Sequence, residues 1–230
     1  MFTIASFKQC IRSVLSAESS VPTRRIAKRC NVYAVGSRDD QVYFITEGQV
    51  KVMTQSQAGR ECLLAIYTAG DFFGECCLCG IQRSETAVAM SDIVLKQVTG
   101  VRFLALMVQA GLMGDFVRYL AARLLEQQQV ITNLATVDCE YRLAAALLRL
   151  SRKLGACEGG GLAQRISHQE LSQMVGTMRP RISEFMQRFR DRGLIDMTPD
   201  SRILVRERRL QEYLETRELE PRLSAAAAAK

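Results

Sequence analysis

A chain of 230 residues is long enough for two domains, each with its own core. Nearly half of its residues are apolar, yet no run approaches a transmembrane helix and residues 1–20 lack the apolar stretch of a signal peptide, so a cytoplasmic protein without a membrane partner is expected. A net charge of +7 is compatible with a polyanionic partner without demanding one, and a single histidine with no Walker loop or nucleophile–His–acid set speaks against an enzyme.

The chain begins with an amphipathic pattern that places Lys8, Cys10 and Arg12 among apolar residues. The basic cluster from Arg24 to Arg29 reads as solvated surface. From about Val32 to Val98 the signals are those of a compact β structure. Glycines recur at Gly36, Gly48, Gly59, Gly70 and Gly74, with strand-like runs at Val42–Ile45, Val50–Val52, Cys62–Ile66 and Ile93–Val98. Short strands at this spacing predict a closed or double-layered antiparallel fold.

Within this block lies Gly70-Asp71-Phe72-Phe73-Gly74-Glu75, followed after a short loop by Arg83-Ser84. Gly74 lets backbone approach a ligand, and the turn after it can aim N–H groups at a phosphate. Glu75 can accept from a ribose hydroxyl. Arg83 supplies a forked cation and Ser84 a hydroxyl for phosphate oxygens. On this reading Arg83→Leu abolishes ligand-dependent stabilisation and leaves the fold intact. Between the two dipeptides stand Cys76, Cys77 and Cys79. With no export signal and no regular framework, the eight cysteines are expected reduced. For this trio, packing is the default; a thiol redox switch and a metal or cluster site are the alternatives.

From Leu112 to Val137 there is no proline, and Val117, Leu120, Leu124, Gln127, Ile131 and Leu134 fall at alternating three- and four-residue steps, the seam of a coiled coil. A core helix packed on the β block is the other reading. Asp138 begins a break and can cap the next helix, which carries Leu143, Leu147, Leu148 and Leu154. Gly155 to Gly161 reads as a surface loop.

Ser167 with Glu170 forms a capping-box signature, and Leu171, Met174 and Val175 give one apolar face. Gly176-Thr177 breaks this helix, and Pro180 suits the first turn of another. Ile182, Phe185, Met186 and Phe189 bury the second helix along one stripe and leave Arg181, Glu184, Gln187 and Arg188 free, with Arg179 at its N-terminal end. This is a helix-turn-helix. Asp196 to Val205 reads as a hairpin turning at Pro199-Asp200-Ser201, which makes the module winged. Lys and Arg outnumber Asp and Glu from Arg165 to Arg209, an excess that suits phosphate contacts and equally an ordinary solvated face. Arg206 to Glu220 is a charged surface helix, and the alanine-rich stretch Ser224–Lys230 is set aside as a tail.

This order, with Gly36, Gly48, Gly74-Glu75, Arg83-Ser84 and the Val175-Gly176-Thr177-Met178-Arg179 entry to the second helix, resembles the cyclic-AMP receptor protein/Fnr (Crp/Fnr) family of bacterial transcription regulators. The resemblance implies an α+β chain: an N-terminal β-roll of the cyclic-nucleotide-binding jelly-roll type (1–111), a dimerisation helix (112–137), a winged helix-turn-helix (138–223) and the tail (224–230). It further implies a homodimeric, sequence-specific regulator that binds double-stranded DNA and works with RNA polymerase. Its effector would be a cyclic nucleotide such as cyclic AMP, held by Gly74, Glu75, Arg83, Ser84, Gln127 and Gln128. A thiol- or metal-sensing β domain, or one that works without an effector, would leave the DNA-binding role unchanged. The glutamines depart from the small hydroxyl residues that cyclic-AMP binders place there, which leaves the identity of the base open. DNA would be met by Ser167, Gln169, Thr177, Arg179, Pro180, Arg181, Ser183, Glu184 and Arg188. Arg179 keeps the family's first recognition position, whereas Pro180 and Glu184 replace the usual Glu and Arg, so the usual half-site should be read poorly. Arg181 and Arg188 would reach phosphates or bases, and Glu184 either reads a base or pairs with a neighbouring arginine.

Overall fold

The computed structural model describes residues 3–18, 21–80, 82–154, 162 and 165–228, with side chains described as far as residue 217. The glycine-rich loop expected over 155–161 lies outside the described residues. Two compact units divide the chain, Met1–Gln128 and Gln129–Lys230.

In the first unit eight strands form two antiparallel four-stranded sheets. One has the order β1 (Thr23–Ile26), β8 (Ile93–Thr99), β3 (Gln41–Glu47), β6 (Phe72–Phe73); the other has β2 (Asn31–Tyr33), β7 (Thr86–Ala89), β4 (Gln49–Gln55), β5 (Glu61–Thr68). Side chains alternate across a strand, and β3 shows what that does here. Tyr43 and Ile45 enter the core between the sheets, while Val42 and Phe44 enter a second core under the helices. Both faces are covered, so Val42-Tyr43-Phe44-Ile45 is an unbroken apolar run. Phe72 and Phe73 divide between the same two cores.

The second core is closed by α1 (Ile4–Ala17), α2 (Gly100–Gln109) and the start of α3 (Met113–Thr136). The amphipathic start of the chain is α1, which buries Phe7, Ile11 and Leu15 at roughly 1.5–3 kcal/mol each. The β structure begins earlier than Val32. Arg24, Arg25 and Ile26, expected as surface only, form most of β1, whose alternation is hidden because only Ile26 of its residues is buried.

In the second unit, α4 (Cys139–Leu154), α5 (His168–Val175) and α6 (Arg179–Asp191) pack with the hairpin β9 (Ile195–Met197) and β10 (Ile203–Val205) and with α7 (Glu207–Ala228). Asp138 caps α4 as expected, its Oδ1 accepting from the Tyr141 N–H at 2.8 Å. The backbone of Ser224–Ala228 continues α7 rather than trailing from it. No helix among the described residues is long and apolar enough to cross a membrane.

Candidate functional site

In the β unit the structure brings Gly74, Glu75 and Arg83 together. Gly74 has φ 85°, in the left-handed region that favours glycine, and opens the 3-10 turn Glu75–Cys79. A Cβ there would stand 3.1 Å from the Gln41 carbonyl oxygen and 3.2 Å from Arg83 Nη1. The glycine thus serves the arginine as much as any ligand. Arg83 is 2% exposed. Its Nη1 donates to the Gly74 carbonyl at 2.6 Å and its Nη2 to the Gln41 carbonyl. Asp39 lies 3.5 Å away, and the guanidinium stacks 4.2 Å over the Tyr33 ring.

Two tyrosines tie carboxylates into this cluster. Tyr33 donates to Glu85 and Tyr43 to Asp39, each at 2.7 Å. Burial first, and then the neighbouring carboxylate, push both phenols far above their ordinary range, so both stay protonated donors. This argues against the expectation that Arg83→Leu spares the fold: the arginine holds β3 to the Gly74 turn, and losing it removes a cation from Asp39 and a donor from each of two carbonyls.

The guanidinium is nevertheless incompletely satisfied. Arg83 Nε is buried with no hydrogen-bond partner. An unmet buried donor on a cation is what a phosphate oxygen would complete, so the cluster fits an anionic ligand. Ser84 is exposed on the surface. Glu75 is engaged by Arg123 of α3 at 2.8 Å, and Arg123 also reaches the Tyr119 hydroxyl at 3.3 Å. Burial lifts the Tyr119 phenol to about 12. Sequence reasoning missed Arg123. Its signal was available: Phe116, Tyr119 and Arg123 follow steps of three and four on the face of α3 that packs inward. Gln127 lies one turn further on this face, and it and Gln128 are exposed.

The cysteine trio does not gather into a ligand set; among the described residues no three of His, Cys, Asp or Glu are placed to hold a metal ion. Cys77 and Leu78 pack against the core under the helices. Burial pushes the Cys76 thiol up to about 11 and raises Cys77 as well, which leaves little thiolate for redox chemistry at neutral pH.

On α3 the seam residues Val117, Leu120, Leu124, Ile131 and Leu134 are 37–64% exposed in the single chain, opposite in character to buried Phe116 and Tyr119. The inward side packs as a core helix does, and the other side presents an exposed apolar stripe.

In the second unit Ser167 and Glu170 close the capping box, the Ser167 N–H donating to Glu170 Oε2 at 3.0 Å and the Glu170 N–H to Ser167 Oγ at 3.2 Å. Gly176, at φ 67°, turns the chain out of α5. Pro180 stands in the first turn of α6, and Ile182, Phe185, Met186 and Phe189 are its buried stripe. Behind that stripe Arg179, Pro180, Arg181, Ser183 and Glu184 are exposed together at one end, with Thr177 half-buried in the turn and Ser167 and Gln169 exposed at the start of α5. His168 Nδ1 lies 2.9 Å from Ser183 Oγ, and burial, then the nearby Arg179 charge, lower its pKa. Arg188, also exposed, turns back to Glu140 in the first turn of α4 as an ion pair, which the sequence did not foresee.

Two family models match the chain: the cyclic nucleotide-binding domain over residues 23–110 and the Crp-like helix-turn-helix domain over residues 141–213. The cAMP-activated global transcriptional regulator CRP of Pasteurella multocida is 30% identical over 164 residues, covering 70% of this chain and 78% of that protein. The CRP-like cAMP-activated global transcriptional regulator of Mycobacterium tuberculosis is 28% identical over 185 residues, covering 78% and 82%. Among solved structures, a transcriptional regulator of Thermus thermophilus superimposes with a TM-score of 0.66 at 27% identity, covering 84% of this chain and 98% of that one.

Proposed function

Because this chain belongs to the Crp/Fnr family of transcription regulators, we propose that it acts as a homodimer whose DNA affinity is set by a phosphorylated effector in the β unit. The relatives named above are regulators rather than enzymes, and the helix-turn-helix makes DNA the partner. The finer reading rests on one observation: the buried Nε of Arg83, a donor on a cation with nothing to donate to.

A cyclic nucleotide, when bound, supplies the negative charge that this donor lacks. Arg83 pairs with the phosphate, Ser84 adds a hydroxyl, and the turn at Gly74 keeps backbone N–H groups within approach. Glu75 would have to share itself between Arg123 and a ribose hydroxyl. Gln127 and Gln128 meet the base with amide groups, a pairing suited to a purine edge other than that bound by small hydroxyls. The apolar seam on α3 pairs two chains, and the exposed ends of the two α6 helices then read successive half-sites. Regulation follows from contact with RNA polymerase or exclusion of it.

A thermal-shift screen with cyclic mononucleotides and cyclic dinucleotides tests the effector, because a ligand that binds the folded state raises its melting temperature. Stabilisation by at least one of them, abolished by Glu75→Gln, is expected. A flat screen across both classes overturns the effector reading and leaves the DNA-binding role standing.

A further inference from the structure

Glu140 receives three groups from two other helices although only 10% of its side chain is exposed. Arg188 of α6 donates to its Oε2. The Tyr213 hydroxyl of α7 donates to its Oε1 at 3.0 Å. Arg217, one turn beyond Tyr213, bonds that hydroxyl at 3.2 Å and stands 3.9 Å from Oε2. Arg217 also donates at 2.9 Å to Oδ2 of Asp138, whose other oxygen caps α4. The Tyr213 ring meets Phe189 of α6 edge-on, with centroids 5.8 Å apart. Two carboxylates and two guanidiniums therefore balance in one cluster that joins the start of α4, the recognition helix and α7.

Only Glu140 of this set is nearly buried, and its partners Arg188, Arg217 and Asp138 keep roughly a third to a half of their side chains in solvent, so the ion pairs are weak evidence for stability. The position of the cluster suggests another use. Arg188 follows Arg179 by nine residues, about 13 Å along the helix axis. A free guanidinium there would take any phosphate within reach, and phosphate contacts add affinity without reading sequence. Glu140 keeps Arg188 from doing so, and α7 keeps Glu140 in place.

We propose that α7 is a specificity element: Tyr213 and Arg217 hold Glu140 on Arg188, which withholds that cation from the DNA backbone and fixes the azimuth of α6. The proposal rests on the reading that α6 enters the major groove. Tyr213, Arg217 and Glu140 act as positioning residues and need not touch DNA.

The test measures binding of the full chain to its selected preferred duplex and to a scrambled duplex across a salt series. In Glu140→Gln the scrambled duplex should be bound more tightly, with the slope of log affinity against log salt steeper by about 1.8 for the dimer, one phosphate contact from each protomer. The ratio of preferred to scrambled affinity should fall about tenfold, the equivalent of one misread base pair. Adding Arg188→Met to Glu140→Gln should return the slope to that of the wild type. Tyr213→Phe, which removes one hydroxyl and keeps the ring, should shift both quantities in the same direction by less, and it decides the matter if Glu140→Gln fails to fold. Lower melting temperatures with unchanged slope and ratio mean a structural role only and overturn the proposal. A wild type without any preferred duplex overturns the groove reading itself, and the proposal with it.

Discussion

Arg83 and Arg179 are the same side chain in opposite settings. Arg83 is buried, stacked on Tyr33 and bonded to two backbone carbonyls, with its Nε left without a partner. Arg179 stands exposed at the first turn of α6, backed by a helix face that packing has already fixed. A residue that both supports a fold and receives a ligand can do so only if the ligand completes what the fold leaves unmet. A residue that reads DNA from a rigid platform carries no such double duty. Substituting the first should therefore disturb the molecule, and substituting the second should disturb only its choice of sequence.

The largest expected effect tests the buried member. Arg83→Leu should lower stability by roughly 3–5 kcal/mol, because it leaves Asp39 without its cation and takes a buried donor from each of the Gly74 and Gln41 carbonyls. Urea denaturation monitored by circular dichroism measures it. A loss below about 1 kcal/mol would mean that the cluster rearranges at little cost and that the contrast between the two arginines is overstated. Arg83→Lys, which keeps the charge but not the fork, should fall between.

Next comes the surface proposed to couple two reading heads. Leu120→Asp with Leu124→Asp puts charges into the exposed stripe of α3 and leaves Phe116 and Tyr119 in place. A monomer with DNA affinity reduced about a hundredfold is expected, since the two half-sites no longer share one binding event. Analytical ultracentrifugation with fluorescence anisotropy reads both. A wild type that sediments as a monomer at micromolar concentration would sink the dimer.

The exposed member comes third. Arg179→Ala should weaken binding to the preferred duplex by roughly 1–3 kcal/mol and relax the choice at one base pair, with the melting temperature unchanged. Glu184→Ala sharpens this further. Should Glu184 read a base, selected oligonucleotides will change at one position. If it only pairs with a neighbouring arginine, the selected sequence will stay the same.

The two regions also differed in how well the sequence announced them. The helix-turn-helix is local: its cap, its turn glycine, its N-terminal proline and its apolar stripe all lie within 24 consecutive residues, Ser167 to Arg190. Each has a short-range physical cause, so each could be read directly. The β site is assembled from β3, the Gly74 turn, the loop before β7 and α3. Sequence named Gly74, Glu75 and Arg83 but could not foresee that Gln41 and Gly74 offer carbonyls to Arg83, or that Arg123 answers Glu75. Backbone carbonyls leave no mark on residue identity. The pairing of Arg188 was hidden for a related reason: its position off the buried stripe was legible, but its partner Glu140 lies 48 residues earlier. Early strands β1 and β2 were missed because one is nearly all exposed and the other is three residues long.

The smallest expected effect concerns His168, which bridges α5 to α6 through Ser183 and lies beside Arg179. Burial and that positive charge lower its pKa below the ordinary 6.5, so the folded state resists a proton that the unfolded chain accepts. The sign follows from linkage: the unfolded state binds more protons below pH 6.5, and stability falls as pH falls from there to the folded pKa. Above pH 6.5 the residue contributes no slope. Denaturation midpoints taken at intervals from neutrality downward should show this small decline before the carboxylates begin to titrate, and His168→Gln should flatten it while leaving the Arg83 cluster untouched. A decline that persists in His168→Gln would assign it to other groups. One that disappears would show the helix-turn-helix carrying a proton-sensitive joint beside the arginine expected to read the groove.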